Sequence, residues 1–190
     1  MKSAIVFLLW FCFTSGPSHG QSKIGYSSQN YVGLLEGEYK AAFQLQTIHG
    51  VRYQTWYGGL GAGLDYYMFR SIPVFATVNK DLVFNGRTFY VSGDIGTNYP
   101  WINDNSNTMI FGGSASTKFH PGFYWAGGLG YKAFAKNKTD AFIINLGYSF
   151  KRIKQEDKVP GFCSDPPCSV NLERFDYRLN RISMRLGWQF

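Results

Sequence analysis

The sequence predicts an all-β chain: a transmembrane, antiparallel up-and-down β-barrel of eight strands, with ten as the alternative count. Three observations predict it. In the last stretch, 175–190 (FDYRLNRISMRLGWQF), Ile182, Met184, Leu186, Trp188 and Phe190 alternate with Arg181, Ser183, Arg185, Gly187 and Gln189. That is the period of a strand whose two faces meet different surroundings. Aromatic residues make up 18% of the chain, and 22 glycines stand beside 7 prolines, which suits interfacial girdles and sharply curved strands better than helices. The first twenty residues read as an export leader.

That leader begins with Met1-Lys2, continues through an apolar run at 4–13 (AIVFLLWFCF), and ends with Ser18 and Gly20 at the two positions a signal peptidase inspects. Cleavage is expected after Gly20, which divides the chain into a signal peptide, 1–20, and a barrel domain, 21–190. A run of ten apolar residues is half of what a membrane-crossing helix needs, roughly twenty. Cys12 belongs to the discarded segment, because bulky Trp10 and Phe11 precede it where lipid attachment requires small residues.

Eight alternating segments follow. The first two are 31–39 (YVGLLEGEY) and 42–49 (AFQLQTIH). The third, 56–69, sets Trp56, Leu60, Ala62, Leu64 and Tyr66 against Gly59, Gly61, Gly63 and Asp65. Segment 71–82 carries Ile72, Val74, Ala76 and Val78 on one side, and 88–99 opposes Phe89, Val91 and Ile95 to Ser92, Asp94 and Gly96. Asn85-Gly86 between them is a hairpin turn signal. Segments 122–134 and 141–150 come next, the latter setting Phe142, Ile144, Leu146 and Tyr148 against Asn145, Gly147 and Ser149, and 175–190 closes the set.

Parity orders these strands. A single-chain bacterial barrel has an even strand number, short turns on the periplasmic side and longer loops outside. With eight strands, Asn85-Gly86 and 136–140 become periplasmic turns, and the long connections 100–121 and 151–175 fall outside. Segment 109–120 is therefore assigned to an outer loop, or to a strand extension above the membrane. The mean hydropathy of -0.19 is compatible with this, since only alternate residues of such strands face lipid.

On this assignment Glu36, Glu38, Asp65, Asp94, Lys132, Arg181 and Arg185 project into the lumen. Eight strands enclose a space that side chains can fill, so these charges are expected to pair across the interior. Closure brings the last strand beside the first, with Arg185 expected near the height of Glu36. A pore is the competing reading of the same residues.

Loss of the leader leaves Cys163 and Cys168, an even pair in an exported chain, read as one disulfide around Asp165-Pro166-Pro167. Two cysteines without nearby histidines cannot fill a tetrahedral metal shell. The runs Gly59-Leu60-Gly61-Ala62-Gly63 and Gly127-Gly128-Leu129-Gly130 lack the helix that a nucleotide loop requires, and are read as strand glycines. Catalysis has thin support. His49 ends a strand, and His120 shares a loop with Asp104, Ser114 and Ser116, but no spacing demands a triad. No catalytic, metal or cofactor residue is assigned.

The segments 59–67 (GLGAGLDYY), 70–73 (RSIP), 122–132 (GFYWAGGLGYK) and the closing RISMRLGWQF together resemble the outer-membrane protein β-barrel domain family of Gram-negative bacteria. The resemblance implies a barrel in the outer membrane and supplies no catalytic residues. The terminal Phe190, behind Ile182, Met184, Leu186 and Trp188, resembles the insertion signal read by the barrel-assembly machinery. The net charge is +7, or +6 once Lys2 leaves with the leader. In an exported chain this points to lipid headgroup phosphate or surface polysaccharide rather than nucleic acid. The expected role is structural or surface-interacting, with outer loops meeting an envelope or extracellular partner. A lipid-modifying enzyme, a narrow channel and a soluble ligand-binding barrel are the alternatives.

Overall fold

The computed structural model describes residues 24–101, 108–110, 113–136, 139–160 and 170–190. The expected leader, both cysteines of the expected disulfide, Cys163 and Cys168, and Asp104 lie outside these residues. Eight strands form the wall: β1 (Ile24–Gly37), β2 (Ala42–Tyr53), β3 (Trp56–Asp65), β4 (Ser71–Phe84), β5 (Arg87–Pro100), β8 (Gly122–Phe134), β9 (Ala141–Pro160) and β10 (Val170–Gln189). Two short ones, β6 (Thr108–Ile110) and β7 (Gly113–His120), stand outside it. Each wall strand pairs antiparallel with its neighbours, and β10 pairs with β1 to close the sheet. The wall is an up-and-down barrel with no open edge.

The alternation of the sequence becomes an inversion of inside and outside. Leu60 is 71% exposed, Leu129 66% and Met184 62%, whereas Arg181 is 2%, Lys132 1% and Lys151 0%. Large apolar side chains look out from every wall strand, and the charged and amide side chains look in. Tight hairpins join β2 to β3 and β4 to β5 at the end where the chain terminus Phe190 pairs with Ser28. In the second of these Asn85 (φ 49°) and Gly86 (φ 74°) are both left-handed, the geometry that matches the twist of the flanking strands.

At the opposite end β9 and β10 run on together. Their ladder holds one register from Ala141 opposite Gln189 to Pro160 opposite Val170, so much of 151–175 is strand where a long connection was expected. Segment 109–120 is the strand extension that parity allowed: β7 pairs with the upper part of β9, and β6 with β7. β7 and β8 are successive pieces of one bent strand. His120 faces Lys154 and Tyr124 faces Lys151, so three residues lie opposite two. This β-bulge sits at Pro121, which has no amide hydrogen to offer a ladder. β3 stops at Asp65 instead of Phe69, and β1 begins at Ile24, seven residues earlier than expected.

One face assignment is corrected. Glu36 lies on the outer surface with Val32 and Leu34, and Glu38 lies exposed beyond the end of β1. The inward residues of β1 are Gln29, Tyr31, Gly33 and Leu35. Apolar side chains occupy both faces here, so the period alone is ambiguous. The closing register decides it: Gly33 is opposite Arg185, and Glu36 opposite Ile182. Directly opposed residues share a face, so the inward Arg185 takes Gly33 inward and leaves Glu36 with the outward-facing Ile182.

Candidate functional site

The interior is organised as three tiers of ion pairs, each built on one aspartate. Nearest the chain termini, Lys132 Nζ donates to Asp81 Oδ1 at 2.7 Å and Arg52 Nη2 to Asp81 Oδ2 at 3.2 Å. Arg52 also reaches Gln189 Oε1 at 3.2 Å, which in turn accepts from Gln29 at 3.1 Å. At mid-height, Arg185 donates through Nη1 to Gln46 Oε1 at 2.8 Å and Asp94 Oδ2 at 3.3 Å. Its Nε and Nη2 both reach Asn145 Oδ1, at 3.0 and 2.8 Å. Thr77 donates to the other oxygen of Asp94 at 2.6 Å. On the loop side, Asp65 takes Lys151 on Oδ1 at 3.0 Å and Arg181 on Oδ2, and its Oδ1 also accepts the Tyr67 amide at 2.8 Å.

Five cations therefore meet three carboxylates, and no tier leaves an aspartate unpaired. Aromatic faces add to their surroundings: Lys132 lies over Tyr90, Arg181 over Tyr67, Arg185 over Tyr31 and Arg52 over Phe134, at 4.9 to 5.5 Å from the ring centres. Each ring offers its negative face to a desolvated cation. Tyr31, Ile48, Tyr57, Phe75, Tyr90, Tyr124 and Ile143 pack between the tiers. They fit because the strand beside an inward ring often carries an inward glycine. A Cβ on Gly187 would lie 2.4 Å from Tyr31 Cδ1.

The loop-side mouth is covered. Residues 66–70, between β3 and β4, place Tyr67 against Leu35 and Leu179, with Met68, Ala42 and Tyr177 beside them. Phe69 continues this layer, its ring 5.0 Å from Tyr177 and 5.4 Å from Phe119 of β7. Lys151 ties the layer down by donating to the Phe69 carbonyl at 3.0 Å and to Ser71 Oγ at 3.1 Å. An apolar lid thus rests directly on the Asp65 tier.

The structure brings Asp65, Asp94, Lys132, Arg181 and Arg185 into these tiers. Glu36 and Glu38 take no part, and Arg185 is ion-paired with Asp94 of β5 instead of a carboxylate of β1. Sequence reading missed Arg52, Asp81 and Lys151. Parity could have found them: Arg52 is in step with Gln44 and Gln46, Asp81 with Thr77 and Asn79, and Lys151 with Asn145 and Ser149. They sat beyond the strand ends as drawn, or beside charges that alternate less cleanly.

The two histidines among the described residues, His49 and His120, face outward. His49 Nδ1 is 2.7 Å from the Tyr26 hydroxyl and its Nε2 is 3.2 Å from Thr47 Oγ1, which donates to Asn30 at 2.8 Å. His120 lies 3.4 Å from Glu156. Ser116 faces Lys158, two rungs along β9 from the Lys154 that faces His120, so this serine and histidine are not neighbours. Among the described residues no three His, Cys, Asp or Glu side chains are grouped to hold a metal.

No protein-family model matches the chain, and no curated protein matches it. Two solved structures resemble it in outline. Neisserial surface protein A (NspA) is similar at 12% identity over 90% of this chain and 98% of its own, with a TM-score of 0.48. The outer membrane protein OprG from Pseudomonas aeruginosa is similar at 13% identity over 89% of this chain and 96% of its own, with a TM-score of 0.49. No residue role is carried over from either.

Proposed function

We propose that this chain is an integral β-barrel of a Gram-negative outer membrane, exported by a cleaved leader. On this reading it is a structural and surface-interacting element with a filled interior, and its loop-side sheet is the part that meets partners. The observation that carries the proposal is the inversion of polarity around the whole wall. Val74, Val78, Ile95, Leu129, Ile144, Leu146, Met184 and Leu186 are all exposed, while every buried cation is ion-paired inside. Water-soluble proteins rarely leave contiguous apolar surface beyond a few hundred Å². A belt on every strand is what a hydrocarbon solvent requires.

The filled interior argues against a pore. Three tiers of paired charges, the aromatic packing between them and the lid above leave eight strands without a water path. The test joins fractionation to planar-bilayer recording. The folded protein should partition with the outer membrane, shift in gel mobility on heating, and give negligible conductance. A stable conductance in the native protein, altered by Arg185→Ala without loss of thermal stability, would overturn the filled-barrel reading in favour of a channel. Recovery of native protein in the soluble periplasm would overturn the location.

A further inference from the structure

Above the wall, β6, β7, β9 and β10 form a sheet whose outer face continues the lipid-side face of β9 and β10 without a break in the ladder. Along β9 the outward residues run Phe142, Ile144, Leu146, Tyr148, Phe150 and then Arg152, Lys154, Glu156, Lys158. Along β10 they run Trp188, Leu186, Met184, Ile182, Asn180 and then Arg178, Asp176, Arg174, Leu172. One surface therefore changes from apolar to cationic, directly from Phe150 to Arg152 on β9 and across one amide, Asn180, on β10. The change falls just beyond an aromatic pair, Trp125 and Tyr148, whose rings are 5.4 Å apart, as an interfacial girdle would be.

The cations are arranged in rungs. Arg152 is directly opposite Arg178; Lys154 stands between His120 and Asp176; Glu156 between Lys118 and Arg174; Lys158 between Ser116 and Leu172. Six Lys and Arg against two carboxylates leave this face at +4 with His120 neutral. Both carboxylates are already taken: Asp176 by Arg152, Glu156 by Arg174. Lys118, Lys154, Lys158 and Arg178 are exposed and carry no ion pair among the described residues. The opposite face of the same sheet holds Thr117, Phe119, Ile153, Gln155, Asp157, Glu173, Phe175 and Tyr177, with no cation. Like charges set opposite one another, as Arg152 and Arg178 are, weaken a sheet, so folding alone does not account for gathering every cation on the lipid side.

We infer that this face is a binding surface for the anionic phosphate headgroups of the lipid leaflet beside it, with Arg178 and Lys154, in the two rungs nearest the wall, as the phosphate-contacting side chains. The inference rests on the membrane reading above, since the leaflet must lie against the wall for its headgroups to meet the rungs. Strand rise sets the first rung about 7 Å beyond Phe150 along the chain. That is headgroup depth, because the polar zone on each side of a bilayer is only about 5 to 8 Å thick. Lys154, one rung further along a tilted strand, reaches it through its long stem, whereas Lys118 and Lys158 stand beyond it.

The experiment uses the full folded barrel in neutral detergent, titrated with phosphatidylglycerol, phosphatidylcholine or inorganic phosphate and read by native mass spectrometry. One variant carries Lys154→Gln and Arg178→Gln. A second, matched in charge, carries Lys118→Gln and Lys158→Gln, on the same face but beyond headgroup depth. Each Lys or Arg beside an anionic surface is worth roughly fivefold in affinity. The native protein should therefore prefer phosphatidylglycerol to phosphatidylcholine by about tenfold or more, and added salt should weaken the preference. The first variant should lose that preference and the second keep it. Equal binding by the first variant, equal loss in the second, or inorganic phosphate displacing the lipid at the same concentration would each overturn the inference. Heat-modifiability of every variant is scored separately, so failure of the membrane reading is distinguishable from failure of the binding face.

Discussion

Lys151 Nζ lies 3.0 Å from Asp65 Oδ1, a contact made across the barrel between residues 86 positions apart, while Arg181 takes the other oxygen of the same carboxylate. One aspartate thus holds two cations from β9 and β10 beneath the lid. Asp65→Asn would leave both without a counter-charge in a site where none of the three is more than 2% exposed. Removing one member of a buried ionic group costs about 3 to 5 kcal/mol. The expected outcome is a lower heat-modification temperature in detergent. A transition unchanged from native would show that the tier contributes nothing to stability.

The wall is also limited by packing. Gly187 is inward, and any Cβ there meets the Tyr31 ring, so Gly187→Leu should force that ring off its place over Arg185. Overpacking of this kind costs about 1 to 3 kcal/mol. Gly58, whose Cβ would meet nothing within 4 Å, is the control, and Gly58→Ala should unfold at nearly the native temperature. Equal losses in both would place the cost in β propensity instead of lumen packing.

Assembly should depend on the end of β10. Trp188 and Phe190 are exposed on the outer face, and the Phe190 backbone closes the barrel against Ser28. Deleting Phe190, or replacing both aromatics with Glu, is expected to reduce the heat-modifiable protein in the outer-membrane fraction several-fold. Normal levels of folded protein after truncation would show that the terminal residue is not read during insertion.

The sheet above the wall should respond to acid at Asp176. The hydrogen bond from Arg152 holds the Asp176 carboxyl below its ordinary range, so the folded form binds this proton less readily than the unfolded chain does. The pair's contribution is present at neutral pH and is lost as pH falls through the depressed value. Carbon-detected titration of Asp176 should show this, with the midpoint returning toward the usual carboxylate range in Arg152→Gln. An unchanged midpoint in that variant would remove Arg152 as the cause.

The sequence by itself determined the architecture wherever one face was apolar and the other polar. In β10 the run from Arg181 to Phe190 states its own parity, and in β3, β4, β5 and the lower half of β9 the alternation is as clear, so the strand count and inward Asp65, Asp94, Arg181 and Arg185 were legible. A strand's side chains must alternate, and two unlike solvents sort them. The tertiary structure alone decided what alternation cannot: which residue on one strand lies opposite which on another. β1 is apolar on both faces, so only its register with β10 sends Glu36 outward. The hydrogen-bonding partners of Arg185 are drawn from β2, β5 and β9, distances in sequence that no local pattern encodes. Above the barrel β9 and β10 carry polar side chains on both faces, so polarity there marks neither a core nor a strand, and hydrogen bonding between the two strands is what extends them to Pro160 and Val170.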